Sequence, residues 1–126
     1  MQYKVGAVQH RIMKVLWEEG ATSARRITEV LSKEKPIAHS TVQTLLRKLE
    51  TKGVVVHERH ERTFLFKATV PEQDVSRSAV QELLGRVFQG SVSGLLAHLL
   101  DNEEVSPEEL KRLRQMVDER LEEEQK

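Results

Sequence analysis

The chain has 126 residues, no cysteine, and 20 basic against 20 acidic side chains. That length allows one modest core, or one small core plus an element that needs a partner; the missing cysteine excludes disulfide frameworks, thiolate metal sites and thiol catalysis. No apolar run approaches the roughly 20 residues of a membrane span, and the opening MQYKVGAVQHR lacks a signal peptide's hydrophobic stretch, so a cytoplasmic protein with no membrane insertion is expected.

Three short helices come first. In VGAVQHRIMKVLWEEG, Val8, Ile12, Met13 and Leu16 fall on one helical stripe and Gly20 supplies the stop, which predicts a helix over residues 5–19. TSARRITEVLSKE offers Thr22 or Ser23 as N-cap and repeats Ile27, Val30 and Leu31, so a second helix runs as far as Lys33. Pro36 breaks the chain. HSTVQTLLRKLETKG then places Val42, Leu45, Leu46 and Leu49 on one face of a third helix that Gly53 terminates. Its other face, with Ser40, Thr41, Thr44, Arg47, Lys48 and Thr51, carries hydroxyls, methyls and positive charge but no acid. A surface that only has to be wet has no need of that composition.

The period then changes. VVVHERHERTFLFKA is rich in β-branched and aromatic residues, with Phe64, Phe66 and Ala68 alternating with Leu65 and Lys67. Two strands and a charged turn at His60 and Glu61 make a hairpin, and the absence of Gly or Asn there predicts a longer or looser loop. Three helices followed by a hairpin is the order of a winged helix-turn-helix domain, in which the third helix enters the DNA major groove and the wing lies beside the backbone. Thr41 and Thr44 are then the leading base readers, flanked by Ser40 and Gln43, because hydroxyls, methyls and amides meet base edges. Arg47 and Lys48 position the helix on phosphates, and Arg59, His60 and Arg62 do so from the wing.

Charge agrees with that division of labour. Lys and Arg outnumber Asp and Glu by 13 to 7 over residues 1–71, and the count reverses to 7 against 13 over residues 72–126. A basic part suits a polyanion, whereas an acidic part would be repelled by one and has another task. In the acidic part, DVSRSAVQELLGRVF repeats Val80, Leu83, Leu84, Val87 and Phe88; SVSGLLAHLLDNE adds Leu95, Leu96, Leu99 and Leu100. SPEELKRLRQMVDERLEEE opens with Ser106 as N-cap, Pro107 at the first helical position and Glu109 three residues on, and continues the stripe with Leu110, Leu113, Val117 and Leu121. Three such helices carry more apolar face than they can hide among themselves, so a second copy of the chain is the expected cover. The fold class read from the sequence is mainly α with a small β-hairpin: a winged helix-turn-helix DNA-binding domain over residues 1–71 and a helical dimerisation domain over residues 72–126.

QHRIMKVLWEEG, STVQTLLRKLETKG and TFLFKATV resemble the penicillinase-repressor family, the BlaI/MecI group, whose members include copper-responsive repressors. FQGSVSGLLAHLLDNEEVSPEELKRL is similar to that family's dimerisation region in order and spacing. The resemblance implies a homodimeric transcriptional repressor on a two-fold symmetric double-stranded operator, released by an upstream signal. It carries over Ser40, Thr41 and Thr44 as operator contacts and Arg47 near the backbone, with Ser40 standing where the family has an operator-contacting lysine. It also implies a sensor-linked protease as a partner, although the family's Asn-Phe cleavage pair corresponds here to His98-Leu99. Copper-responsive relatives use a carboxy-terminal cysteine cluster, and this chain ends RLEEEQK.

Other functions find less in the residues. There is no glycine-rich phosphate loop, nucleophile elbow or His-Glu-x-x-His, so no enzyme and no cofactor are expected. His57 and His60 with Glu58 or Glu61 are the nearest approach to a metal set, and a spacing of three on a strand sends their side chains to opposite faces. Two alternatives stand beside the repressor: a winged-helix regulator gated by a small molecule, for which the sequence shows no concentration of aromatic or polar residues, and a winged-helix module that binds protein, against which Arg47 and Lys48 argue.

Overall fold

In the computed structural model, which describes residues 3–125, helix α1 (Ala7–Glu19) ends at Gly20, whose φ of 78° lies in the left-handed region that the stop requires. Ser23 caps α2 (Ala24–Ser32) by accepting from the Arg26 N–H at 3.1 Å. Helix α3 (His39–Thr51) closes with a Schellman motif: Gly53 N–H donates to Glu50 O and Val54 N–H to Leu49 O, with Gly53 at φ 82°. Val54, the hydrophobic residue of that motif, is 1% exposed and joins the core. The core consists of Ile12, Met13, Val15 and Leu16 from α1, Ile27 and Leu31 from α2, Val42, Leu46 and Leu49 from α3, and Val54 and Val55. Tyr3 and Trp17 pack against it, and the Trp17 indole N–H donates to Val70 O at 2.9 Å.

The hairpin pairs β2 (Val55–His60) with β3 (Thr63–Ala68) from Val55↔Ala68 to His60↔Thr63. Two features depart from the sequence reading. A third strand, β1 (Thr22–Ser23), pairs Thr22 with Phe66 and Ser23 with Leu65, giving the antiparallel order β1-β3-β2. Moreover the turn is tight rather than loose: Glu61 and Arg62 alone connect the strands, and Glu61 takes a φ of 57°. A left-handed residue with a Cβ costs about 1–2 kcal/mol; the ladder beyond it offsets that cost, helped by Arg59 Nε–H, which donates to Glu61 O at 3.1 Å.

Packing divides the chain into two compact units, Met1–Leu83 and Leu84–Lys126. The division falls inside α4 (Glu72–Phe88), the first turns of which belong to the first unit. Val75 and Ser78 are buried, Ser78 Oγ accepts from the Tyr3 N–H at 2.8 Å, and Glu72 pairs with Lys14 at 2.7 Å. That pairing holds the Lys14 pKa above its ordinary value through the hydrogen bond and charge of Glu72.

The second unit contains the end of α4, then α5 (Val92–Asn102) and α6 (Pro107–Glu124). Ser91 caps α5 through the Gly94 N–H at 2.9 Å, and Ser106 caps α6 through the Glu109 N–H at 3.1 Å, with Pro107 at the start. Neither α5 nor α6 buries a residue. No single described helix is long and apolar enough to cross a membrane.

Candidate nucleic-acid interface

Helix α3 is held from beneath by Val42, Leu46 and Leu49, each 0% exposed, so its opposite face is fixed outward. Ser40, Thr41, Gln43, Thr44, Arg47 and Lys48 are all exposed on it, as the sequence predicts. Thr44 Oγ–H donates to Ser40 O at 3.0 Å, which leaves the oxygen lone pairs and the γ-methyl as what Thr44 can offer. Those two groups suit a base-edge amine and a thymine methyl. Four of them divide between two sides of the helix: Gln43 leans toward the wing, Thr44 and Lys48 line the opposite side with Gln9 and Lys52, and Arg47 borders both.

Ion pairs occupy several other cations of the first unit. Arg26 lies 3.0 Å from Glu19, whose hydrogen bond and charge raise its pKa; Lys14 holds Glu72; Arg11 reaches Glu34 at 3.4 Å. Arg47, Lys48 and Arg62 have no ion pair among the described residues. One acid does stand on the wing side of α3, Glu50, but its carboxylate is engaged by the His57 imidazole from β2. Guanidinium and ammonium groups without internal partners are the ones left for a polyanion.

The hairpin register sorts the wing residues. Side chains opposite one another share a face, so His57, Arg59, Phe64 and Phe66 lie on one side of the sheet and Glu58, His60 and Thr63 on the other. His57 confirms the first face, with its ring 5.0 Å from Phe64 and 5.4 Å from Phe66. His60 therefore does not stand with Arg59 as the sequence reading grouped them; it lies 3.9 Å from Glu58, which also meets Lys67 at 3.7 Å. The same register separates His57 from His60 across the sheet, away from any shared ion.

Between α3 and the wing runs a groove of about 710 Å³ that also reaches the start of α2. It brings in Arg25, His39, Glu50, Phe64 and Phe66, none of which the sequence reading assigned to a site. His39 is tied to α2: the Thr28 hydroxyl gives its proton to Ala24 O at 2.8 Å, so it accepts from His39 Nδ1–H at 3.2 Å. The imidazole Nε2 then points its free valence away from that bond. A count of basic residues at helix starts would have found Arg25 in SARR; nothing in the local sequence marks Phe64, because only the register places it over the groove.

The family model of the penicillinase repressor matches residues 5–119. Over 116 residues the chain is 26% identical to the penicillinase repressor of Bacillus licheniformis, a span of 92% of this chain and 91% of that one. Over 115 residues it is 23% identical to the methicillin resistance regulatory protein MecI of Staphylococcus aureus, with 91% and 94% covered. Among solved structures it is similar to the monomeric form of Bacillus licheniformis BlaI in complex with the blaP half-operator, at a TM-score of 0.51 and 26% identity over 59% of this chain and 90% of that one.

Proposed function

The chain belongs to the penicillinase repressor family, and from that premise we propose that it is a DNA-binding repressor that acts as a homodimer on a two-fold symmetric operator and leaves it on an upstream signal. The observation that supports this reading most is the outward face of α3, where base-reading side chains stand beside cations without internal partners. Thr41 and Thr44, with Ser40 and Gln43, read bases; Arg47, Lys48, Arg59 and Arg62 bind phosphates. His60, on the far face of the wing, contributes only where the backbone wraps around it. A relative of this family, BlaI, forms a complex with a half-operator, which is the arrangement one reading head would make.

Exposure of the second unit supports the homodimer. Val87, Leu99, Leu100, Leu110, Val117 and Leu121 are 41–55% exposed, and Phe88, Leu95, Leu96 and Leu113 are half-buried. A second copy would cover this face, and two linked heads would meet half-sites about one helical turn of DNA, or a multiple, apart. A signal that parts these faces releases DNA without touching α3. Were that signal a sensor-linked protease, it would meet His98-Leu99 inside the turns of α5, a bond that must leave the helix before it can be cut.

Fluorescence anisotropy of the full chain on the promoter of its own gene, against random duplex at two salt concentrations, tests the reading. Four phosphate-binding cations per head, eight per dimer, give an expected slope of log affinity on log salt of about −7. Equally weak binding to both duplexes would move the α3 face from DNA to a protein partner.

A further inference from the structure

The groove between α3 and the wing has a chemistry of its own. Its floor is aromatic: two of the chain's three phenylalanines, Phe64 and Phe66, lie there, with the His57 imidazole edge-on to Phe64 and tilted against Phe66. Phe64 is 49% exposed, a large ring face turned to the open groove. Its rim is cationic. Arg25 from the first turn of α2, Arg47 from α3 and Arg62 from the wing turn all line it, none with an ion pair among the described residues. Against these three positive charges the groove holds one carboxylate, Glu50, already engaged by His57. The sequence reading found no concentration of aromatic or polar residues for a small molecule; the fold assembles one from three separate elements.

We propose that this groove is a binding site for a small aromatic carboxylate, with its ring against Phe64 and Phe66 and its carboxylate held by Arg47 and Arg62. The charge balance selects an anion, and the planar guanidinium fork matches a carboxylate in two parallel hydrogen bonds. The aromatic floor selects a ring over an inorganic ion, since ring edges and faces gain from contact that a hydrated ion forgoes. A volume of about 710 Å³ falls within the range of small-molecule sites and holds one or two fused rings. Because Arg47 and Arg62 are the groups assigned to DNA phosphates, ligand and operator exclude each other. That competition rests on the proposed DNA-binding function; the site itself does not.

The test uses 2-naphthoate as probe and the full-length protein without DNA, with the anisotropy of the probe's own fluorescence as the readout. Saturable binding is expected, weakened about tenfold or more by Arg62→Gln and comparably by Phe64→Ser, with both variants checked for native circular dichroism. The neutral 2-naphthamide is expected to bind at least about tenfold more weakly. Inorganic phosphate separates the two sources of anion chemistry: if it competes as well as naphthoate does, the groove is a seat for backbone phosphate only and the proposal falls. Non-saturable binding, or naphthoate affinity unchanged in both variants, overturns it as well. A second arm adds 2-naphthoate to the preformed operator complex, and release is expected at the concentrations that saturate the free protein. A protein that binds naphthoate but no DNA keeps the site and loses the repressor; one that binds DNA but not naphthoate does the reverse. Naphthoate bound alongside operator, without release, would show that the two do not share Arg47 and Arg62 and would overturn the assignment.

Discussion

The two units treat similar stripes of apolar residues in opposite ways. In Met1–Leu83, Ile12, Met13, Ile27, Val42, Leu46 and Leu49 are all 0% exposed, because α1, α2 and α3 converge on one another and the sheet closes what they leave. In Leu84–Lys126, α5 and α6 bury nothing, and Leu99, Leu110 and Val117 stand 42%, 44% and 52% exposed. Periodicity thus says which face of a helix must be covered and not what covers it. The first unit closes its own core; the second leaves its apolar stripes open to solvent, as the proposed homodimer requires.

The strongest way to break that contrast is Leu99→Asp. In a homodimer it forces a charge into an apolar interface, at a cost of about 3–5 kcal/mol, and sedimentation should show a monomer. Operator affinity should fall by about 10²–10⁴ as the second contact ceases to be intramolecular, with the first unit's circular dichroism intact. A variant that stays dimeric would remove the leucine face from the interface.

Next in size is the converse change, Leu46→Ala, at a site with no exposure. Truncating a buried leucine costs about 2–5 kcal/mol, so the urea midpoint of the first unit should fall while the mass in dilute buffer stays that of the dimer. Loss of both together would mean that the two units do not differ in the way their exposure shows.

The reading head also divides into parts that the sequence exposed and parts that it hid. α1, α2 and α3 were legible because buried stripes, a Ser cap and Gly20 and Gly53 agree locally, although Val8, read onto the α1 stripe, is 37% exposed in the first turn of the helix. Strand β1 was not: two residues, Thr22 and Ser23, carry no period, and their pairing with Phe66 and Leu65 is made by residues far along the chain. The turn was misread for a related reason, since the ladder on both sides imposes a left-handed φ on Glu61 that its own propensity would avoid. The outward face of α3 was visible because that helix alone decides where its side chains point. The groove was not, because Arg25, Arg47 and Phe64 come from three elements that only tertiary packing brings together.

Within the head, the two sorts of α3 residue can be told apart by smaller effects. Thr44→Ala should cost about 1–3 kcal/mol at one base position and little elsewhere, since it removes the methyl and the acceptor that the proposed docking sets against a base. Lys48→Ala should weaken specific and random DNA alike and flatten the salt slope by about 0.9 per head. Equal losses on both duplexes for both variants would sink the separation of roles.

The smallest expected effect bears on the contrast most directly. Ser106 Oγ accepts the Glu109 N–H at 3.1 Å and so satisfies one of the free donors at the start of α6. Ser106→Ala should cost about 1 kcal/mol, but where that loss appears depends on what holds α6. If a second copy holds the helix, the cap matters little while the dimer is intact, and helical signal falls only on dilution through the dimer's dissociation. In the Leu99→Asp background the same substitution should then lower helicity at every concentration, because an exposed helix of 18 residues is left to its own propensity and caps. If α6 instead stands by itself, Ser106→Ala removes the same amount of helix in both backgrounds, and its 55% exposed Leu121 is ordinary surface and not half of an interface.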